Sequence, residues 1–286
     1  MKNLKEKVRK VLEPLTKGKE TNNGIYSPIN IRLPKKINLL GSSVKVEKGR
    51  KEGILTGILY LSPSDSSGLL KNGKPLNVCP YATEYCRAGC LGLHSGKMPT
   101  PTVKNSQLWK TALFFTDQRL FINLVIEEIK KLEIKASKKN LVLAIRLNGT
   151  SDIPFVQKWE LDRLFPNVQF YDYTKSPSAI DNYVDSPNYH LTYSANSSIQ
   201  SMITSNKALD KGLSVACIVN EYPDCEQSKI DLSGMVLGRH RYYINVEDFD
   251  DTDARFLTRK MPTLGYLKVK GGRKVVKMLG KDVFKV

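Results

Sequence analysis

The feature that most constrains the fold is a rhythm in the second half of the chain. Four short runs, Leu141–Asn148, Val168–Lys175, His190–Ala195 and Leu213–Asn220, are rich in apolar, aromatic and β-branched residues. Stretches of helical character at 155–165, 176–183 and 198–210 separate them. A strand followed by a helix and then another strand returns the chain to pair in parallel. Leu141–Leu147 is apolar except at Arg146, as a strand covered on both faces requires. The rhythm predicts an α/β fold of parallel strands, a (βα) barrel or partial barrel.

The flanks read differently. Residues 38–62 alternate weakly and are glycine-rich, which predicts an edge hairpin of Val44–Glu47 with Ile54–Leu61. Asp65–Asn77 carries loop and turn signals. A helical stretch over 104–134 shows Leu120, Phe121, Leu124, Val125, Ile129 and Leu132 on one stripe, with Asp117 as its N-cap. After 221 an acidic loop, Glu247–Asp253, precedes a basic final hairpin within Leu264–Val276. Together, 38–62 and 240–280 are expected to form a small β-rich flank. Residues 1–37 are expected to be a basic N-terminal arm with one short helix, Leu4–Leu12, ended by Pro14 and Gly18. The remainder, 38–286, is then a single α/β domain containing a cysteine loop over 65–100.

That loop holds the chemistry. Cys79, Cys86 and Cys90 fall within twelve residues, and the other two cysteines are Cys217 and Cys225. An odd count with such clustering is poor material for a disulfide framework and good material for a metal site in a reducing compartment. Thiolates are soft ligands that favour iron–sulfur clusters, zinc and Cu(I). Three on one loop suit an iron–sulfur cluster, with [4Fe-4S] favoured. Zinc is the alternative, with His94 or Cys225 as a fourth ligand. Cys217 shares strand parity with Leu213, Val215 and Val219 and reads as core. Three thiolates leave one iron open to a small molecule, the logic of radical enzymes that chelate S-adenosylmethionine. The six and three intervening residues here are wider than the three and two usual in those enzymes.

Three strand ends are unusually polar: Arg146-Leu-Asn148-Gly-Thr-Ser-Asp152, Tyr171-Asp172-Tyr173-Thr-Lys175 and His190-Leu-Thr192-Tyr-Ser194. Ligands of parallel α/β proteins bind beyond the carboxyl ends of the strands. Arg146, Asn148, Tyr171, Tyr173 and Ser194 are therefore expected to bind a small-molecule substrate. Asp152, Asp172 and Lys175 are the candidates for catalytic acid–base work or for holding an anion.

Composition bears on partners and place. Forty-five basic against 28 acidic residues give a net charge of +17, which points to nucleic acid as a partner or to a lysine-rich soluble surface. In the first case Tyr171, Tyr173, Tyr242 and Tyr243 are available to stack on bases, and the metal is structural. No apolar run approaches the length of a membrane span, and the charged N-terminus lacks a signal-peptide core, so a cytoplasmic protein is expected.

The order Cys79-Pro-Tyr-Ala, Cys86, Cys90-Leu91, then RLNGTSD over 146–152, FYDYTK over 170–175 and NYHLTYS over 188–194, resembles an uncharacterised family of bacteriophage gene products. The resemblance runs from about Asn38 to Gly272. It implies a phage or prophage origin and expression in the host cytoplasm, and it supplies no reaction. More loosely, the chain is similar to phage proteins with cysteine motifs ahead of partial barrels, of the radical iron–sulfur type.

Overall fold

The expected parallel strands are present in the computed structural model, which describes residues 2–41, 53–219, 245–250, 255–258 and 263–268. The chain divides into two units: Met1–Pro80 with Cys90–Ile153, and Tyr81–Gly89 with Pro154–Val286. Their composition places a long N-terminal portion in the first and the βα rhythm mostly in the second.

In the first unit, helix α1 (Lys2–Thr16) runs farther than its pattern suggested. Pro14 lies inside the last turn, where it removes only one backbone donor, and Gly18 at φ +66° closes the end. Val8, Leu12 and Leu15 are fully buried, as are Ile25 and Ile37 farther along. The expected arm is thus packed into this unit. Strands β1 (Ile25–Tyr26), β4 (Leu70–Lys71) and β5 (Lys74–Pro75) form a small antiparallel sheet. Between the last two, Asn72 and Gly73 both take positive φ, the geometry of a tight hairpin turn.

Strand β2 (Leu40–Gly41) pairs antiparallel with β3 (Ile54–Leu59), and β3 pairs in parallel with β6 (Val142–Arg146). Of the edge hairpin expected for Val44–Glu47 with Ile54–Leu61, the second strand is present as β3, paired antiparallel with β2 at the edge of its sheet. Every residue of β3 is buried, because it lies between two strands as an interior member of the sheet. Residues 44–47 lie outside the described residues. Helices α2 (Pro101–Thr116) and α3 (Gln118–Ser137) replace the one helix read over 104–134. They part at Asp117, whose extended backbone breaks the helix and whose carboxylate accepts from Leu120 N–H at 2.8 Å. The predicted stripe holds: Leu120, Phe121, Leu124, Val125 and Ile129 are buried. Glu128 of α3 accepts from the N–H groups of Leu39 and Leu40 at 2.8 Å, which fixes the start of β2.

The second unit holds five strands, β7 (Gln169–Thr174), β8 (Tyr189–Ser194), β9 (Ser214–Val219), β10 (Asn245–Asp248) and β11 (Thr263–Lys268). They are all parallel, in the order β7-β8-β9-β11-β10. A barrel takes its strands in sequence, and this order departs from it, since β11 sits between β9 and β10. The terminal hairpin is corrected too: β11 pairs in parallel on both sides, so this flank belongs to the main sheet. Helix α4 (Ile199–Asp210) begins at Ser198, whose hydroxyl accepts from Ser201 N–H. Tyr193 of β8 donates to Ser201 Oγ at 3.2 Å, which puts α4 on the Tyr193 face. Among the described residues no helix is long and apolar enough to cross a membrane.

Candidate functional site

Within the first unit, the segment after β6 is fixed by its own amide. Buried Asn148 donates to Ile153 C=O at 2.7 Å and accepts from Ile153 N–H at 3.0 Å and from the Ser151 hydroxyl at 2.9 Å. Both ends of its amide are thereby committed to the turn. Gly149 follows, and a Cβ there would lie 2.6 Å from the Leu59 carbonyl oxygen, so only glycine lets the loop lie on the end of β3. Thr150 donates to Leu61 C=O at 2.5 Å.

Cys79 is seated against this loop. Its Sγ accepts from Ser64 N–H at 3.3 Å and lies 3.7 Å from Thr150 C=O. Asp152 N–H donates to the neighbouring Val78 C=O at 2.8 Å, so half-buried Asp152 is backbone-paired one residue away from the thiol. Cys90 caps a short helix, Leu91–His94. Its Gly92 packs so closely that a Cβ would meet both Pro63 and Thr150 at 2.6 Å. Cys79 and the helix that starts from Cys90 therefore share the Pro63–Ser64 and Thr150 seats. Arg146 is the half-buried last residue of β6. His94 is exposed at its helix end.

Within the second unit, Cys86 lies in the single helical turn Glu84–Ala88, and its N–H donates to the Thr83 hydroxyl at 2.9 Å. The same stretch carries Tyr81, whose hydroxyl is 3.3 Å from that of Ser178, itself 2.9 Å from Ser176 Oγ. Ser176 caps the short helix Pro177–Asp181 just beyond β7. The cysteine-bearing stretch is thus tied to the carboxyl end of β7. There Lys175 donates to Ser194 C=O at 3.1 Å, bridging the ends of β7 and β8.

The paired residues Tyr171 with His190 and Tyr173 with Thr192 place these four on one face. Their environments differ. Tyr171 is buried, its ring 5.6 Å from that of Phe256, while Tyr173 is half-buried. Asp172 lies on the opposite face and is 1% exposed. His190 and Thr192 are also buried.

Cys79, Cys86 and Cys90 are all half-buried. Among the described residues, no group of three or more His, Cys, Asp or Glu side chains is arranged to hold a metal ion. Cys217 is a core residue, and burial pushes its thiol up to about 12. Cys225, Tyr242 and Tyr243 lie outside the described residues. The seat of Cys79, made by Ser64 N–H and the Thr150 carbonyl, and the Ser178 partner of Tyr81 have no local mark in the sequence, because each lies on a segment distant in the chain. Gly149 and Gly92 were the only available signal.

The family described as gene product 88 matches the chain over residues 38–275. This agrees with the resemblance read from the motifs, and residues 1–37 fall outside it. No curated protein and no solved structure matches the chain.

Proposed function

We propose, on the premise that the chain belongs to the gene product 88 family, that its Cys79–Cys90 segment binds an iron–sulfur cluster and that the protein is an enzyme of the strand ends. One observation carries the reading. Each unit holds its part of the cysteine segment at the carboxyl end of its own parallel strands: Cys79 lies against Thr150 beyond β6, and Tyr81, five residues before Cys86, against Ser178 beyond β7. That is where α/β proteins bind ligands. The donor chemistry fits a cluster, since three thiolates are soft ligands and Ser64 N–H already donates to one sulfur. The three are not gathered into a ligand set as they stand, so ligation is proposed to order the segment, its free energy acting as local folding energy.

A cluster held by Cys79, Cys86 and Cys90 would supply an iron able to bind a small molecule. Asp152, whose backbone N–H pairs with the Val78 carbonyl next to Cys79, is the candidate to hold or move a proton in its unit. Tyr173 and Lys175 are the half-buried polar groups at the end of β7, with Lys175 oriented by Ser194. Tyr171 and Asn148 act through packing and loop closure.

Anaerobic purification with iron, sulfide and zinc analysis tests the proposal. Iron and sulfide in equal amounts are expected, with visible absorption that dithionite bleaches. Both should vanish in the Cys79→Ala, Cys86→Ala, Cys90→Ala variant. Hydrogen exchange should slow in 79–90 on cluster loading. A colourless protein containing stoichiometric zinc, or iron content unaffected by the triple substitution, overturns the reading.

A further inference from the structure

We propose that the groove between α1 and the start of α3 binds the phosphate backbone of a single-stranded nucleic acid. The groove lies wholly within the first unit, away from the cysteine segment in sequence, and has a volume of about 360 Å³. Its floor is apolar, made by Leu4 and Val11 of α1 and Leu120 of α3. Its rim carries Lys7 and Lys10 from α1 and Arg119 from α3, all exposed. Asp117 is the single carboxylate in the lining, and its Oδ1 is engaged by Leu120 N–H at 2.8 Å. The lining therefore carries three cations against one committed anion.

Two properties select the occupant. The rim is a short cationic track over a hydrophobic bed, which suits a charged backbone with flat, weakly polar bases or sugars below it. The whole chain carries +17, so a polyanion is attracted from a distance to the same molecule. Arg9 and Lys5 of α1 are differently employed. Arg9 donates to the carbonyls of Pro34 and Lys35 at 2.7 and 3.0 Å, and Lys5 to Asn38. Lys7 and Lys10 are left on the groove side. The helix that supplies them precedes residue 38, where the family match begins, whereas Arg119 lies within the matched residues.

Contact of three phosphates with a single strand sets a slope of about −2 in log affinity against log salt, or roughly 20-fold weaker binding between 50 and 200 mM salt. The test uses the full chain and a fluorescein-labelled mixed-sequence DNA 12-mer, read by anisotropy at several salt concentrations. The variant Lys7→Ala, Lys10→Ala, Arg119→Ala changes only exposed side chains and should lose about two from the slope. The control Lys131→Ala, Lys135→Ala, Lys138→Ala removes the same charge from the far end of α3 and beyond, and should leave the slope unchanged. No binding at 50 mM salt overturns the proposal. So does an equal loss in both variants, which reports net charge alone, or equally tight displacement of the strand by polyglutamate, which reports an acidic-peptide site. Metal content is not involved, so this result and that of the cluster experiment are independent.

Discussion

Lys110 offers a quantitative test of how the first unit is held together. It lies on α2, 7% exposed, with its ammonium 5.8 Å from the ring centre of Trp109 and Glu128 of α3 nearby. Burial pushes it down from the ordinary 10.5 to about 8, and the charge of Glu128 opposes that fall. The next residue, Thr111, accepts from Ser62 N–H at 2.8 Å, so the same turn of α2 holds the loop that carries Ser64 and through it Cys79.

A lysine whose folded pKa lies below its unfolded one binds its proton less well in the folded state. Its cost is fully present below about pH 8 and is relieved as the pH rises toward 10.5. A separation of about 2.5 pH units at 1.36 kcal/mol each amounts to ~3 kcal/mol. Lys110→Met keeps most of the aliphatic volume and removes the charge. Relative to the unsubstituted protein, its stability should fall by about 3 kcal/mol between pH 7 and 10.5, because only the parent recovers the lysine's cost. Glu128, whose carboxyl burial pushes up, loses its counter-charge in the variant and shifts the difference near neutral pH. The change between pH 8 and 10.5 belongs to Lys110. Urea unfolding at fixed pH steps, followed by tryptophan fluorescence, measures it. A difference between the two proteins that stays constant with pH would refute the argument.

Two further outcomes follow from the cysteine seats and the core. Gly149→Ala drives a Cβ to 2.6 Å from the Leu59 carbonyl and should destabilise by about 1–3 kcal/mol, read as a lower urea midpoint. An unchanged midpoint would mean that the loop does not rest on β3. Cys217, buried and pushed up to about 12, should resist a thiol reagent at pH 8 until the protein unfolds, whereas half-buried Cys79, Cys86 and Cys90 should react in the folded protein once it has been stripped of metal by a chelator. Native-state labelling of Cys217, located by peptide mass, would contradict its place in the core.

Elements whose signals are local are legible in the sequence. Period-two and period-3.6 patterning identified β6 to β9, α3 and α4, because burial of one face or both writes itself into neighbouring residues. Asp117 as a cap and Cys217 as core followed from the same rules, and the family match over residues 38–275 agrees with the resemblance to a phage gene-product family. Tertiary structure alone decided what depends on partners distant in the chain. Ile54–Leu59, with a threonine and a glycine in six residues, looked like an edge; pairing with β6 on one side and β2 on the other made it interior. The parallel insertion of β11 between β9 and β10 likewise has no local mark, since strand order is set by which edges meet. Asn148 and Tyr171 read as site residues from their polarity, and the fold adds what they touch: Ile153 pairs with both ends of the Asn148 amide, and the Phe256 ring lies against Tyr171. The polarity of a side chain is written in the sequence, but which hydrogen bonds and contacts consume it is decided only when the chain has folded.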